Sequence, residues 1–390
     1  MDYTKESLAF RVKKALRYIR LYGIRRTLVK IRGQYHMCRK FDDLPKLSSP
    51  AANAHVGIIG CGNFSFSNIA YYLKKNYGCV IRGAMDIDIN KAASLAREYG
   101  AGYYTDKSEE VIQDENIDLI YVASNHATHT EYAIAALQAG KAVHIEKPHC
   151  VNHDQLVCLC QAIKEHNGKV ALGFNRPYST LGMTMAEYLN KESGSAMFNW
   201  FVAGHEIEPD HWYFHDEEGG RVLGNLCHWT DFIYHLVPPE ARYPIVINPT
   251  VSEKTDCDIA VTYTFGDGTI AIITFSAKGH TFEGVRERFS AHKGNTLITL
   301  DDFRTLKIDV LDKVIKKKLW SRDHGHEQNI KRSYSMVRPE GDQSTDSLLS
   351  YIWETGDLFL KTKEALEQQT KITLQAYSDD LLRQQSTSNS

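Results

Sequence analysis

The sequence predicts an α/β protein in two parts: a doubly wound parallel sheet, then an α+β domain built on a large open antiparallel sheet. Three observations predict it. The apolar run Val56–Ile59 is cut by Gly60-Cys61-Gly62 and followed by helical spacing at Phe66, Ile69, Ala70 and Leu73, which reads as strand, tight turn and helix. From there to residue 175, strands and helices alternate. Beyond it, short β-rich runs are joined by glycine turns.

Residues 1–50 stand apart, with thirteen lysines and arginines against four acids. Leu8, Val12, Ala15, Leu16 and Ile19 share a helical face, and Arg11, Lys14 and Arg17 fall elsewhere. Gly23 ends this helix, and 25–31 begins a second. A cationic amphipathic helix of this kind, over residues 5–33, either lies on an anionic membrane surface or packs its stripe on the protein's own body or a partner subunit. The stretch 42–53, with Pro45 and Pro50, reads as a linker, so cofactor binding should not need residues 1–45.

Residues 51–175 form the first domain, of Rossmann type. Gly60 permits a sharp reversal, and Gly62 lets backbone approach a pyrophosphate at the helix N-terminus, with Asn63 and Phe64 completing the cofactor turn. A second strand, Val80–Met85, ends in Asp86, where a ribose-binding acid belongs. The third glycine of the fingerprint is replaced by the small Ser65. Further strands are 118–124, 141–145 and 169–174. A helix begins near Thr128 and stops at Gly140, and Asn152 with Gln155 resembles a capping box.

The second domain, residues 176–378, carries strands at 196–203, 258–265, 269–277, 286–291 and 296–300. Gly266-Asp267-Gly268 and Lys293-Gly294-Asn295 are hairpin turns, and 345–368 is a closing helix. Lys316-Lys317-Lys318 reads as a solvated edge. Residues 379–390 form a flexible tail.

Composition narrows the function. A formal net charge of -2 gives no case for nucleic acid. No apolar run approaches the roughly 20 residues of a membrane span. Eight cysteines without a CxxC pair, and seventeen histidines without a ligand spacing, predict a reduced cytoplasmic protein with no metal. A basic extension allows a peripheral place at the inner face of the membrane.

The glycine turn, Asp86, SNHATH at 124–129, EKP at 146–148 and GGRVLGNLCHWTD at 219–231 together resemble the glucose–fructose oxidoreductase and inositol dehydrogenase family (Gfo/Idh/MocA). The resemblance runs from about 55 to 330. It implies a Rossmann domain joined to an open antiparallel sheet and NAD(P)-dependent chemistry on a sugar, cyclitol or nucleotide-sugar carbinol. It also implies that Lys147 and His228 face the nicotinamide, with the Lys147–Pro148 bond cis. Many members carry an acid four residues before the histidine, where this chain has Gly224 and then Asn225.

The residues agree. A lysine at the C-terminal end of a parallel strand sits where open α/β sheets bind ligands, and alcohol oxidation needs a group to take the hydroxyl proton. Lys147 and His228 are the catalytic candidates, with Asp231 placed to orient the histidine. The competing reading of Lys147 is an ion pair with Glu146. Ser124, Asn125, His129 and Glu146 lie at strand ends and join the cofactor set. Arg176, Trp212 and Asn225 join Lys147 and His228 on the substrate side: Arg176 for an anionic group, Trp212 as a flat face for a sugar ring. Asp86 followed by Ile87 predicts NAD over NADP. The sheet predicts a homo-oligomer, since its open face needs cover. The alternatives are a glycosidase that uses NAD transiently and a non-catalytic NAD-binding regulator.

Overall fold

In a computed structural model of the chain, residues 5–207, 210–250, 258–278, 282, 284–338 and 345–378 are described. The tail at 379–390 lies outside them. The chain begins with α1 (Leu8–Met37), which breaks at Gly23, where φ is 78°. Arg11 on the first limb reaches Tyr35 on the second at 3.4 Å, so the limbs fold back as a hairpin. After it come β1 (Val56–Ile59), α2 (Ala70–Tyr77), β2 (Ile81–Met85), α3 (Ile89–Tyr99), β3 (Tyr103–Thr105), α4 (Ser108–Ile112), β4 (Leu119–Val122), α5 (His129–Gln138), β5 (Ala142–Ile145), α6 (His153–Glu165) and β6 (Val170–Leu172). The six strands pair in parallel in the order β3-β2-β1-β4-β5-β6. This is the doubly wound order whose crevice opens between β1 and β4.

Local sequence accounts for these elements. β1 and β4 are buried along their whole length, as strands covered on both faces require. Gly140, with φ at 73°, ends the turn after α5. The Asn152 side chain accepts from the Gln155 N–H at 2.9 Å, and Gln155 Oε1 reaches back to the Val151 N–H at 2.9 Å, which starts α6.

The second domain follows with α7 (Thr180–Leu189), β7 (Ala196–Ala203), α8 (Cys227–Leu236), β8 (Ile245–Pro249), β9 (Asp258–Thr264), β10 (Ile270–Ser276), β11 (Arg286–Lys293), β12 (Thr296–Asp301), β13 (Thr305–Val310), β14 (Lys313–Lys318), α9 (His326–Ser335), α10 (Thr345–Gln368) and β15 (Ile372–Leu374). Nine strands form one sheet, in the order β14-β13-β12-β11-β7-β10-β9-β8-β15. The sheet is not wholly antiparallel, because β7 and β10 pair in parallel at its centre. The five strands read from the sequence are all present. The other four carry weaker patterns: β8 contains Pro249, β15 has three residues, and β13 and β14 are rich in lysine and aspartate. β14 is the edge strand, and Lys316, Lys317 and Lys318 are exposed on it.

Alternation packs one face of the sheet inward. Phe198, Trp200, Val202, Phe289, Ala291, Ile298 and Leu300 are buried under α8 and α10, while Met197, Phe201 and Leu297 on the other face are about half exposed. α9 leaves this domain and returns to the first one. Its Ile330 and Tyr334 pack with Val56, Ile58 and Tyr121, and Tyr121 Oη donates to the Ile330 carbonyl at 3.2 Å.

The N-terminal hairpin does not behave as a free extension. Leu21, Thr27, Gly33 and His36 are buried against the body, while Leu8 (70% exposed), Val12 (50%) and Leu16 (58%) point outward. The apolar stripe read from the sequence is therefore on the outer side, and the packing face is made by other residues.

Candidate active site

The glycine turn opens the site. Gly60 has φ of 88°, and a Cβ there would lie 2.5 Å from the Ala123 carbonyl and the Ser124 nitrogen, so only glycine fits between β1 and β4. A Cβ on Gly62 would meet nothing within 4 Å, which leaves the open approach a pyrophosphate needs. Ser65 is buried, and its hydroxyl donates to the Gly60 carbonyl at 2.5 Å. The helix starts there as a π-helical turn, Ser65–Ile69. The missing third glycine is thus compensated by a hydroxyl that ties the helix to the turn.

Asp86, at the end of β2, accepts from the Cys61 N–H at 2.8 Å and the Asp88 N–H at 2.9 Å. Its carboxylate fixes the turn at the place where a ribose would come. The α1 hairpin buttresses the same turn from outside. Buried His36 bonds the Cys61 carbonyl (2.7 Å) and Ser94 Oγ (2.9 Å), and stacks on Phe66 with ring centres 4.3 Å apart. Arg26 holds the Ser67 carbonyl at 2.5 Å and Asn68 Oδ1 at 2.8 Å. A Cβ on Gly33 would come within 2.5 Å of Asn63 Oδ1. The expectation that cofactor binding is independent of residues 1–45 is therefore revised, since those residues set the turn.

Lys147 follows β5. Its Nζ donates to the Gly224 carbonyl at 2.5 Å, across the cleft from the first domain to the second. The expected alternative, an ion pair with Glu146, does not form. Glu146 is buried and its Oε1 meets His144 Nε2 at 3.1 Å, with His144 held in turn by Ser333 at 2.6 Å. Glu146 thus supports the strand end from behind. The Lys147–Pro148 bond is cis.

Gly224 and Asn225 lie in a π-helical turn, Val222–Leu226, that feeds directly into α8 and His228. Burial, with the positive charges of Arg176 and Lys147 and the histidines at 326 and 324, holds His228 well below the usual histidine range. The ring is therefore neutral near pH 7, and its Nδ1 has no hydrogen-bond partner among the described residues. Asp231 does not orient it. That carboxylate accepts from Tyr351 Oη at 2.7 Å and lies 3.4 Å from His235 Nδ1, on the α10 side of the helix.

Two other expectations change. Arg176 is buried, grips Glu287 with two bonds of 2.7 Å, and lies over the Trp229 ring at 5.0 Å. Two of its three guanidinium nitrogens are thus held by Glu287, whose carboxylate supplies the counter-charge expected of the substrate. His129 is also engaged on both nitrogens, with the Pro148 carbonyl at 2.8 Å and the Ser124 carbonyl at 3.1 Å. Its ring thus sits between the loop after β4 and the loop after β5, with one N–H to share between the two carbonyls. Ser124 accepts from Thr128 Oγ1 at 2.7 Å, and exposed Asn125 donates to Glu218 Oε1 at 2.7 Å. Trp212 keeps 38% of its surface exposed at the rim and meets the His126 ring edge-on at 4.8 Å.

Sequence reasoning passed over Glu218 and His126. Glu218 is 1% exposed and receives Asn125 and the Ala127 N–H, while the His126 ring bonds the Glu218 carbonyl at 2.9 Å. Burial, followed by the charge of Lys147, drives His126 down to about 2. The signal lay in Glu218 preceding Gly219 and Gly220, both at positive φ, a backbone that delivers a side chain back into a cleft. Among the described residues no cluster of histidine, cysteine and acids could hold a metal.

A 3-2-1-4-5-6 parallel sheet with this glycine turn, an acid after β2 and a lysine after β5 defines a two-domain protein of the dinucleotide-binding class. Residues 54–174 match the Gfo/Idh/MocA profile, described as an oxidoreductase family with an NAD-binding Rossmann fold. Among curated relatives, oxidoreductase P35 of Formosa agariphila is 32% identical over 136 residues, which is 34% of this chain and 42% of that protein. Inositol 2-dehydrogenase 3 of Saccharopolyspora erythraea is 30% identical over 184 residues, 42% of this chain and 54% of that one. The chain thus spans about half the length of these two relatives. A levoglucosan dehydrogenase solved with NADH superposes with a TM-score of 0.72 over 83% of this chain and 100% of its own, at 17% identity, a likeness of fold.

Proposed function

We propose that this chain is an NAD-dependent dehydrogenase that moves a hydride between nicotinamide and a carbinol of a sugar or nucleotide sugar. The observation that carries this reading is Lys147. Its ammonium leaves the end of β5, passes by the adjacent Glu146, and reaches across the cleft to the turn that leads into His228. Relatives support it, being described as an inositol dehydrogenase and a levoglucosan dehydrogenase.

The open space above Gly62 and the carboxylate of Asp86 fit a dinucleotide: Gly60, Gly62, Asn63 and Phe64 would hold its pyrophosphate and Asp86 its ribose hydroxyls. Bound NAD supplies the hydride acceptor for the carbinol carbon. Lys147 Nζ, exchanging the Gly224 carbonyl for the carbinol oxygen, orients that oxygen by a charge-assisted hydrogen bond. His228, neutral near pH 7, takes the proton as the carbonyl forms. Trp212 and Asn225 face the sugar. With Gly224 where the resemblance leads one to expect an acid, Lys147 is held by a carbonyl instead of a carboxylate.

The outward stripe of Leu8, Val12 and Leu16, with exposed Lys13, Arg17 and Arg20 beside it, suits a peripheral contact with an anionic membrane. The half-exposed Met197, Phe201 and Leu297 suit a second copy on the outer face of the sheet. The test of function is a panel of sugars, cyclitols and nucleotide sugars, read by NADH absorbance with wild type and Lys147→Met. NADH formation that requires Lys147 is the expected outcome. Release of free sugar from a glycoside without net NADH would favour transient oxidation, and no turnover of any kind would favour the regulator.

A further inference from the structure

Between the α1 hairpin, the outer side of α2 and the start of α9 lies a cavity of about 510 Å³. Its acids are already engaged. Asp323 receives the N–H and hydroxyl of Thr180 at 3.0 and 2.7 Å and the Gly325 N–H at 2.8 Å, and Glu327 is paired with Lys75 at 2.7 Å. Three more of its cations are engaged as well: Arg26 on the backbone after the glycine turn, Arg322 on Asp302 and the Tyr22 hydroxyl, and Lys331 on Glu327 at 3.6 Å. Lys30 is not. Its Nζ stands 4.8 Å from the Tyr22 ring centre and 6.0 Å from that of Tyr18, and among the described residues it has no acid or hydrogen-bond acceptor.

His324 and His326 stand on the same wall. His324 Nε2 is buried without a hydrogen bond, with Glu287 no nearer than 3.6 Å. Both histidines are held neutral, by burial first and then by Arg176, Lys30 and their other cationic neighbours. The first turn of α9 lines the cavity too, and its cap Gly325 has no side chain to bond the N–H groups of that turn. An ammonium, two imidazoles and open helix N–H groups, crowded together without a free acid, form a site that lacks only an anion. The site also adjoins the chemistry. His326 meets Phe64 of the glycine turn edge-on at 5.6 Å, and both histidines bear on the charge of His228.

We propose that this cavity receives the phosphate groups of the substrate, with Lys30 as their charge partner and His324 and His326 as hydrogen-bond donors. The inference rests on the dehydrogenase reading and narrows its substrate to a sugar carrying a phosphate or diphosphate. The N-terminal hairpin, which precedes the family's domain, would then be a specificity element. The same chemistry is present in the pyrophosphate of the cofactor, so the test must separate the two sources.

The experiment is calorimetric titration of the full chain with inorganic pyrophosphate, with the glycine turn first saturated by NADH. It is repeated with Lys30→Met, Lys30→Arg and His326→Gln, in two buffers of different ionisation enthalpy. Pyrophosphate should bind with proton uptake near pH 7, because an anion raises the proton affinity of Lys30 and the histidines. Lys30→Met should weaken binding roughly tenfold or more and reduce the uptake, with Lys30→Arg restoring affinity. NADH affinity should stay within about twofold. Undiminished pyrophosphate binding in Lys30→Met overturns the proposal, as does a parallel loss of NADH affinity, which would assign Lys30 to the cofactor. If pyrophosphate binds as described but no sugar is turned over, the anion site stands and the dehydrogenase reading fails. If a neutral cyclitol is oxidised equally well by wild type and Lys30→Met, and phosphorylated sugars are not preferred, the dehydrogenase reading stands and this one fails.

Discussion

His228 is neutral because three kinds of pressure act in one direction: burial, the guanidinium of Arg176 and the ammonium of Lys147. An imidazole depressed below its ordinary 6.5 remains a proton acceptor as pH falls through that value. The acidic limb of kcat/KM should therefore lie below pH 6.5 in a pH–rate profile. Removing one positive neighbour makes the charged ring less costly, so Lys147→Met should raise the His228 midpoint, as an NMR titration of the ring would record. The same variant should reduce turnover by about 10²–10⁴-fold while sparing NADH binding. His228→Ala should fall in the same range, and the double variant little further if the two act as one unit. Asp86 belongs at this scale also. Its carboxylate would meet a 2′-phosphate with repulsion, so NADH should bind more tightly than NADPH, and Asp86→Ser should narrow that ratio in paired titrations. Arg176 shows where residue-level reading stops. Nothing near position 176 reveals that Glu287, far along the chain, folds beneath it.

Among the elements, the N-terminal hairpin has the most to explain. One face holds the glycine turn through His36 and Arg26, and also reaches the second domain, where Lys14 Nζ bonds the Phe282 carbonyl and the Arg322 N–H bonds the Leu21 carbonyl. It straps the two domains across the cofactor turn. His36→Ala would remove two buried hydrogen bonds and a stacked ring, so it should lower stability by about 2 kcal/mol in urea unfolding and weaken NADH binding as the turn loosens. The opposite face should act independently. If it adheres to membranes, wild type should sediment with anionic vesicles at low salt and not at high salt, and Leu8→Ser with Leu16→Ser should not sediment, with NADH affinity unchanged. Sedimentation that survives these changes would remove this face from membrane binding. Helical spacing correctly identified an amphipathic segment with a break at Gly23. It could not tell which face looks outward, because beside Leu21 the inward one is made of Thr27, Gly33 and His36, which no hydropathy pattern marks.

For the whole molecule, two charge-linked expectations follow. Nine histidines, at 36, 126, 129, 149, 153, 211, 228, 324 and 326, are held below their ordinary range, burial being the first cause for each. In the unfolded chain they protonate near 6.5, while the folded chain resists. Stability from this source is unchanged above that pH and is lost as pH falls below it. Asp231, Asp302 and Asp357 act in the other direction, all raised by burial, Asp302 to about 6 and Asp357 to about 7, so the folded chain takes up their protons first. Nine groups outweigh three, and the thermal midpoint should fall between pH 6.5 and 5. A midpoint that holds steady or rises over that interval would contradict this account. The second expectation concerns assembly. The outer face of the nine-stranded sheet leaves Met197, Phe201 and Leu297 half exposed, so light scattering should give at least a dimer, and Phe201→Glu should shift it toward monomer.

By itself the sequence determined what depends on neighbours in the chain. The glycine turn, the Asn152 cap, the strand ends bearing Asp86 and Lys147, and the lysine-rich edge all follow from spacing and backbone preference, which act within a few residues. The family resemblance rests on the same local motifs. Tertiary structure decided what depends on distant partners. It engaged Arg176 with Glu287, turned Asp231 toward Tyr351, placed Glu218 under Asn125, and folded residues 8–37 onto a turn that begins at residue 60. The value of a charge depends on what burial and topology bring beside it. Lys30 illustrates this: in the sequence it is one basic residue among thirteen, and only the fold leaves it facing a cavity whose acids are already paired.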